Sequence, residues 1–146
     1  MKFSTKGRYA ARAMLELALR YGEGTIMVKD IAARQGVSER YLEQILVAMR
    51  VAGLVESVRG SGGGFLLARS PASITIGEII HAVEGSTAPV GCVDNPALCN
   101  RSETCTMYDV WKDVKTAIDS VLDGLSLQIM IERYNKKMKS KVLPRG

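Results

Sequence analysis

Val28-Lys29-Asp30-Ile31-Ala32-Ala33-Arg34-Gln35-Gly36-Val37-Ser38-Glu39-Arg40-Tyr41-Leu42-Glu43-Gln44-Ile45-Leu46 decides how this chain folds. The first eight residues have the spacing of a short helix, and Gly36 stops it. Val37 follows, and Ser38 is placed to cap a second helix running from Glu39 to about Ala52. Leu42, Ile45, Leu46 and Met49 fall on one face of that helix. Helix, tight glycine turn and capped helix together make a helix-turn-helix, with Ala32 and Gly36 small where the helices approach.

The next residues extend the motif. Gly53-Leu54-Val55-Glu56-Ser57-Val58-Arg59 alternates like a strand, Gly60-Ser61-Gly62-Gly63-Gly64 forms a turn, and Phe65-Leu66-Leu67-Ala68 reads as a second strand. A hairpin directly after the second helix is the wing of a winged helix. A nucleotide-binding loop is excluded by context: no Lys-Ser/Thr follows the glycines, and a strand rather than a helix comes next.

Upstream, Ser4 or Thr5 can cap a helix reaching about Tyr21, with Tyr9, Ala10, Ala13, Met14, Leu17 and Ala18 on its apolar face. Downstream, Ser70-Pro71-Ala72 marks a boundary, and Ile74 to Glu84 reads as a strand-like lead-in and a helix ending at Gly85. On that helix His81, the single histidine, occupies a partly covered face. From Met107, apolar residues through Trp111, Val114, Ile118, Val121 and Leu122 recur at helical spacing up to Asp123-Gly124. Ser126 can cap a last helix through Met138. The apolar stripe of the 107–122 helix exceeds what a small winged helix covers, and a second copy of the same helix would cover it. The expected fold is mainly α: a winged helix-turn-helix with a two-stranded β wing and a long C-terminal dimerisation helix. Its expected divisions are a DNA-binding domain over 1–85, a cysteine-containing loop over 86–106, and the dimerisation helix, last helix and basic tail over 107–146.

Charge follows the same division. Residues 1–70 hold 11 basic and 6 acidic residues, residues 71–132 hold 3 and 9, and residues 133–146 hold six basic residues and no acid. A basic first half suits a polyanion. Of the 146 residues 47% are hydrophobic and 24% charged, a globular balance. No apolar run is long enough to cross a bilayer and no signal-peptide pattern opens the chain, so a soluble cytoplasmic protein is expected.

The three cysteines, Cys92, Cys99 and Cys105, lie within fourteen residues, in a stretch bent by Gly91 and Pro96. Thiols so close in a reducing compartment point to a soft metal centre, iron–sulfur or zinc, rather than to a disulfide framework. The spacing lacks the paired C-x-x-C of a zinc ribbon, and three thiolates leave the set one ligand short.

Ser4-Thr5-Lys6-Gly7-Arg8-Tyr9-Ala10, Tyr41-Leu42-Glu43-Gln44-Ile45, the wing Val58-Arg59-Gly60-Ser61-Gly62-Gly63-Gly64-Phe65-Leu66-Leu67 and Ile76-Gly77-Glu78-Ile79-Ile80 carry a resemblance. With the cysteines placed before the Trp111 helix, the chain resembles the IscR-like winged-helix iron–sulfur regulators from residue 2 to about residue 125. The resemblance implies a homodimeric transcription regulator, with a cluster, usually [2Fe–2S], bound by Cys92, Cys99 and Cys105. The chain departs from its relatives at the fourth ligand. Tyr108 stands where IscR-like members have a histidine, and Arg8 where nitric-oxide-sensing relatives have an acid. Glu103, Asp94, His81 and solvent remain alternatives. The Cys92–Cys99 gap is one residue longer than in the best-known members.

On this reading the second helix of the motif enters the major groove of double-stranded DNA, with Ser38, Arg40, Tyr41, Glu43 and Gln44 in the turns that reach bases and phosphates. The resemblance gives Glu43 control over the choice between two classes of site. Lys2, Lys6, Arg8 and the backbone of Gly60 are expected on phosphates, and Arg59 in the minor groove. Two heads imply a pseudo-palindromic operator. The alternative is a cluster-free thiol- or metabolite-responsive regulator of the same fold that acts through a protein partner. No cofactor fingerprint, catalytic carboxylate pair or Cys–His dyad supports an enzyme.

Overall fold

The computed structural model describes residues 2–142. Local signals set the first elements. α1 (Thr5–Leu19) is capped by Ser4, whose Oγ accepts the Gly7 N–H at 3.1 Å. α2 (Val28–Gln35) ends at Gly36, which takes φ 68°, a left-handed conformation open to glycine at little cost. α3 (Glu39–Val51) is capped by Ser38, whose Oγ accepts the Tyr41 N–H at 3.1 Å. β1 (Val55–Val58) and β2 (Gly64–Leu67) pair antiparallel with Val55 opposite Leu67 and Val58 opposite Gly64. The wing has a third contributor that periodicity does not show. Ile26, between α1 and α2, exchanges both backbone hydrogen bonds with Phe65 at 2.9 Å.

A single turn of 3₁₀ helix at Pro71–Ser73 leads into α4 (Ile76–Glu84), capped by Thr75. The cysteine stretch holds a one-turn α5 (Gly91–Asp94) and a 3₁₀ turn at Pro96–Leu98. α6 (Thr106–Asp123) and α7 (Leu127–Val142) complete the chain. Residues 143–146 of the basic tail lie outside the described residues.

The core is aliphatic. Ala13, Met14, Ile31, Leu42, Ile45, Leu46, Met49, Leu54, Val55, Ile74 and Ile79 are buried in one cluster drawn from α1 to α4 and the wing. Leu127, the first residue of α7, belongs to the same cluster, and Ile131 packs against it. Thr75 and Ser126 form a backbone bridge beside it, and the Leu127 N–H donates to Ile74 O at 2.9 Å. α7 therefore returns to the head after α6 has left it. No residue of α6 is fully buried. Among the described residues no helix is long and apolar enough to cross a membrane.

Candidate nucleic-acid interface and cysteine segment

The Ser38 cap fixes where α3 begins, and the residues after it divide by face. Arg40, Glu43 and Gln44 are exposed while Leu42, Ile45 and Leu46 are buried. Ser38 is exposed; its oxygen accepts from the Tyr41 N–H, which leaves its hydroxyl proton and one acceptor lone pair free. Tyr41 is half-buried, its ring standing edge-on to Tyr9 of α1 at 6.2 Å between centroids. Its ring thus braces α3 against α1.

At the wing, Arg59 and Gly60 are exposed at the tip. Gly60 and Gly62 take φ of 93° and 76°, and the Gly63 N–H donates to Gly60 O at 3.0 Å, closing the turn. Thr25 Oγ1 donates to Gly62 O at 2.7 Å, and Arg50 Nη1 at the end of α3 donates to Ser57 Oγ at 3.2 Å. The wing is therefore tied to the head from both sides, which sets Arg59 in register with α3. Neither tether is visible in the spacing of the sequence.

Of the amino-terminal cations, Lys2 and Arg8 are exposed and Lys6 is half-buried. Arg8 Nη2 donates to Thr5 Oγ1 at 3.3 Å. Beside them is a residue that sequence reading missed. Glu84, at the end of α4, accepts from the Ser4 N–H at 2.7 Å and from the Ser4 hydroxyl at 2.6 Å through Oε1. A carboxylate there complements the positive end of α1. A side chain on Gly7 would meet the same oxygen, the movable end of Glu84, so the bond from Ser4 to Glu84 uses the space that glycine leaves at this position.

Cys92 lies in α5, Cys99 just after the 3₁₀ turn, and Cys105 is the N-cap residue of α6. All three are free and half-buried. Chemically, three thiols suit a soft metal or cluster. Their disposition does not: among the described residues no group of three or more His, Cys, Asp or Glu side chains is placed to hold a metal ion. The candidate fourth ligands differ in exposure and in their partners. Asp94 and Glu103 are exposed and Tyr108 is half-buried. His81 is engaged elsewhere, its Nδ1 2.8 Å from Gly85 O and its Nε2 3.2 Å from Asp119 Oδ1.

Asp119 ties the segment to the head. Its Oδ1 also accepts from Thr87 Oγ1 at 2.5 Å, and its Oδ2 from Lys115 Nζ at 2.8 Å. Thr87 is buried and stands five residues before Cys92. Burial works to raise the Asp119 pKa. The hydrogen bonds from Lys115 and Thr87, with the charges of Lys115 and His81, outweigh it and hold the carboxyl below its usual value of 3.8. The hydrogen bond to Asp119 raises Lys115 above 10.5, against some burial and with help from Asp119, Asp94 and Asp123.

Comparison with known proteins agrees with this architecture. The Rrf2 family model, described as "Iron-dependent Transcriptional regulator", matches residues 3–133. The chain is 43% identical over 133 residues to the HTH-type transcriptional regulator IscR of Aliivibrio salmonicida, covering 90% of this chain and 79% of that one. It superimposes on the solved IscR of T. potens with TM-score 0.75 at 40% identity, covering 100% of this chain and 94% of that one. It superimposes equally well, TM-score 0.75 at 38% identity, on CymR, the global cysteine regulator of B. subtilis, over 91% and 98% of the two chains. These relatives are named as transcription regulators and not as enzymes, in keeping with the capped α3 and the glycine wing. The chain belongs to the Rrf2 family of helix-turn-helix transcription regulators.

Proposed function

We propose that this regulator reads a pseudo-palindromic DNA site as a cytoplasmic homodimer, and that the cysteine segment controls its affinity or site choice. The observation that carries the DNA part is the exposure of Arg40, Glu43 and Gln44 on a capped helix beside a tethered wing tip bearing Arg59. Arg40 and Gln44 contact bases, Glu43 selects through cytosine while repelling phosphate, and Lys2, Lys6, Arg8, Ser38 and Gly60 hold the backbone. Arg59 enters the minor groove. The dimer part rests on α6, which carries Val110 and Val121 exposed, and on the groove of about 560 Å³ beside it. Phe3, Ile118 and Leu122 line that groove, which a second copy of the helix fills.

For the signal we favour an iron–sulfur cluster, [2Fe–2S], on Cys92, Cys99 and Cys105, with cluster-assembly genes as targets. The likeness to proteins named IscR supports it. The cysteines would have to be brought together to hold it. The scattered thiols and the likeness to CymR favour a second reading, a cluster-free thiol regulator of the same fold that acts with a protein partner. Purification without oxygen, with a visible spectrum and iron and sulfide counted per chain, separates the two. A brown protein with about two irons and two sulfides, bleached by Cys92→Ala, Cys99→Ala or Cys105→Ala, is the expected result. A colourless protein that stays iron-free after reconstitution overturns the cluster and leaves the DNA reading standing.

A further inference from the structure

The arginines of the head fall into two groups. Arg34 pairs with Glu16 at 2.8 Å and Arg69 pairs with Glu78, so a carboxylate neutralises each of these guanidinium groups. Arg8 and Arg12 of α1 are exposed and form no ion pair among the described residues. Both are nevertheless held. Arg8 donates to the Thr5 hydroxyl at 3.3 Å, and Arg12 lies over the Tyr9 ring with its guanidinium carbon 5.5 Å from the ring centre. A hydroxyl or a ring face orients a guanidinium without cancelling its charge. Like charges four residues apart on a helix repel, so the sequence keeps this pair at a small cost to α1.

The same ring fixes where Arg12 stands. Tyr9 meets Tyr41 edge-on at 6.2 Å between centroids, and Tyr41 lies in the first turn of α3 after the Ser38 cap. One ring therefore separates the Arg12 charge from the end of α3 that is turned to DNA. Arg20, two turns farther along α1, is exposed and stacks on no ring among the described residues. A guanidinium that keeps its full charge is matched to a phosphate, and one already held by a ring has less freedom to lose on binding. We propose that Arg12 contacts a backbone phosphate of the bound DNA beside the one held by Arg8, with Tyr9 as its positioning residue. The inference rests on the DNA reading above and adds a contact that the helix-turn-helix pattern does not contain. Because the contact is to the backbone, it adds affinity on every sequence and takes no part in the choice between sites.

The test uses the full chain with two probes, a duplex that the unaltered protein enriches from a randomised library and a mixed-sequence duplex that it does not enrich. Affinity is followed by fluorescence anisotropy over a range of salt. Arg12→Gln is expected to weaken binding about fivefold or more on both duplexes and to lower the steepness of log affinity against log salt by about 0.9 for each chain bound, at an unchanged thermal midpoint. Arg12→Lys keeps the charge but loses the planar fork that lies on the ring, so the salt slope is expected to return while affinity recovers only in part. Arg20→Gln removes the same charge from the same helix and is expected to change neither. The proposal is overturned if Arg12→Gln leaves the salt slope as it was, if its effect is confined to the enriched duplex, or if Arg20→Gln lowers the slope as far. A protein that enriches no duplex overturns the DNA reading and this inference with it. One that enriches a duplex and binds it with the same slope with and without Arg12 overturns this inference alone.

Discussion

The head and the cysteine segment with α6 are built on opposite terms. In the head, Met14, Ile31, Leu42, Ile45, Leu46 and Met49 are all at 0% exposure, and each helix of the motif is closed by a side-chain cap or a left-handed glycine. In residues 88–124 no residue is fully buried, and Val121 is 62% exposed. The head is held by the solvent its own residues exclude. The second region is held by polar ties at Asp119, and its apolar surface is left for something else to cover. In a regulator that is a division of labour, with a rigid reader joined to a part whose environment decides its state.

The sharpest way to break that contrast is one substitution on each side. Leu46→Ala is expected to cost about 2–5 kcal/mol in chemical denaturation, because a packed core relaxes only partly around the cavity. Val121→Arg is expected to leave the denaturation of the isolated chain within about 0.5 kcal/mol while shifting sedimentation toward monomer. A large cost at Val121 without any change in mass would mean that α6 is covered by its own chain.

Next is the junction of α1 and α4. Gly7→Ala is expected to displace the Glu84 carboxylate from Ser4 yet change stability by no more than about 1 kcal/mol, because the lost hydrogen bonds are offset by the helix propensity gained in α1. Glu84→Ala should therefore cost less in the Gly7→Ala chain than in the unaltered one, which a double-mutant cycle measures.

Asp119→Asn probes the ties of the second region, with an expected loss of about 1 kcal/mol near neutral pH. The folded Asp119 has a lowered pKa, so its contribution is complete above its unfolded value near 3.8 and fades as pH falls through the lower folded value. Lys115 has a raised pKa, so its contribution is complete below 10.5 and is lost as pH climbs through the higher folded value. Denaturation curves of Asp119→Asn and the unaltered protein should therefore converge at both extremes and differ most between them. The smallest effect is expected at the thiols: Cys99→Ala in the metal-free protein should change stability by no more than about 0.5 kcal/mol.

The parts of the fold that were legible in the sequence are those written in consecutive residues. Ser38 before Glu39, Gly36 after Gln35 and the glycines between two alternating runs each state a local geometry, and the structure has them where the spacing puts them. What was illegible joins residues far apart. Glu84 caps a serine eighty positions away, Thr25 ties the wing across thirty-seven, and Thr87 reaches Asp119 across thirty-two. No periodicity records such pairings, because each partner looks like an ordinary polar surface residue until the helices are packed. The same holds for Tyr41, which the motif places toward DNA and the packing turns partly to Tyr9. For the cysteines, nearness in sequence was legible, and the lack of a common focus was not, since one short helix and a 3₁₀ turn between them set their directions.

The backbone bridge between Thr75 and Ser126 makes the intervening chain a handle rather than a tail. It leaves the head at the end of α4 and is fastened again at Ser126 and Leu127, with Asp119 as a rivet along its length. Doubling the length of a loop whose ends are fixed costs only about 0.6 kcal/mol. Residues can thus be inserted, removed or exchanged around Cys92, Cys99 and Cys105 while the head stays as it is. One DNA reader can in this way be refitted with different chemistries, and each new fitting pulls on the reader at two points.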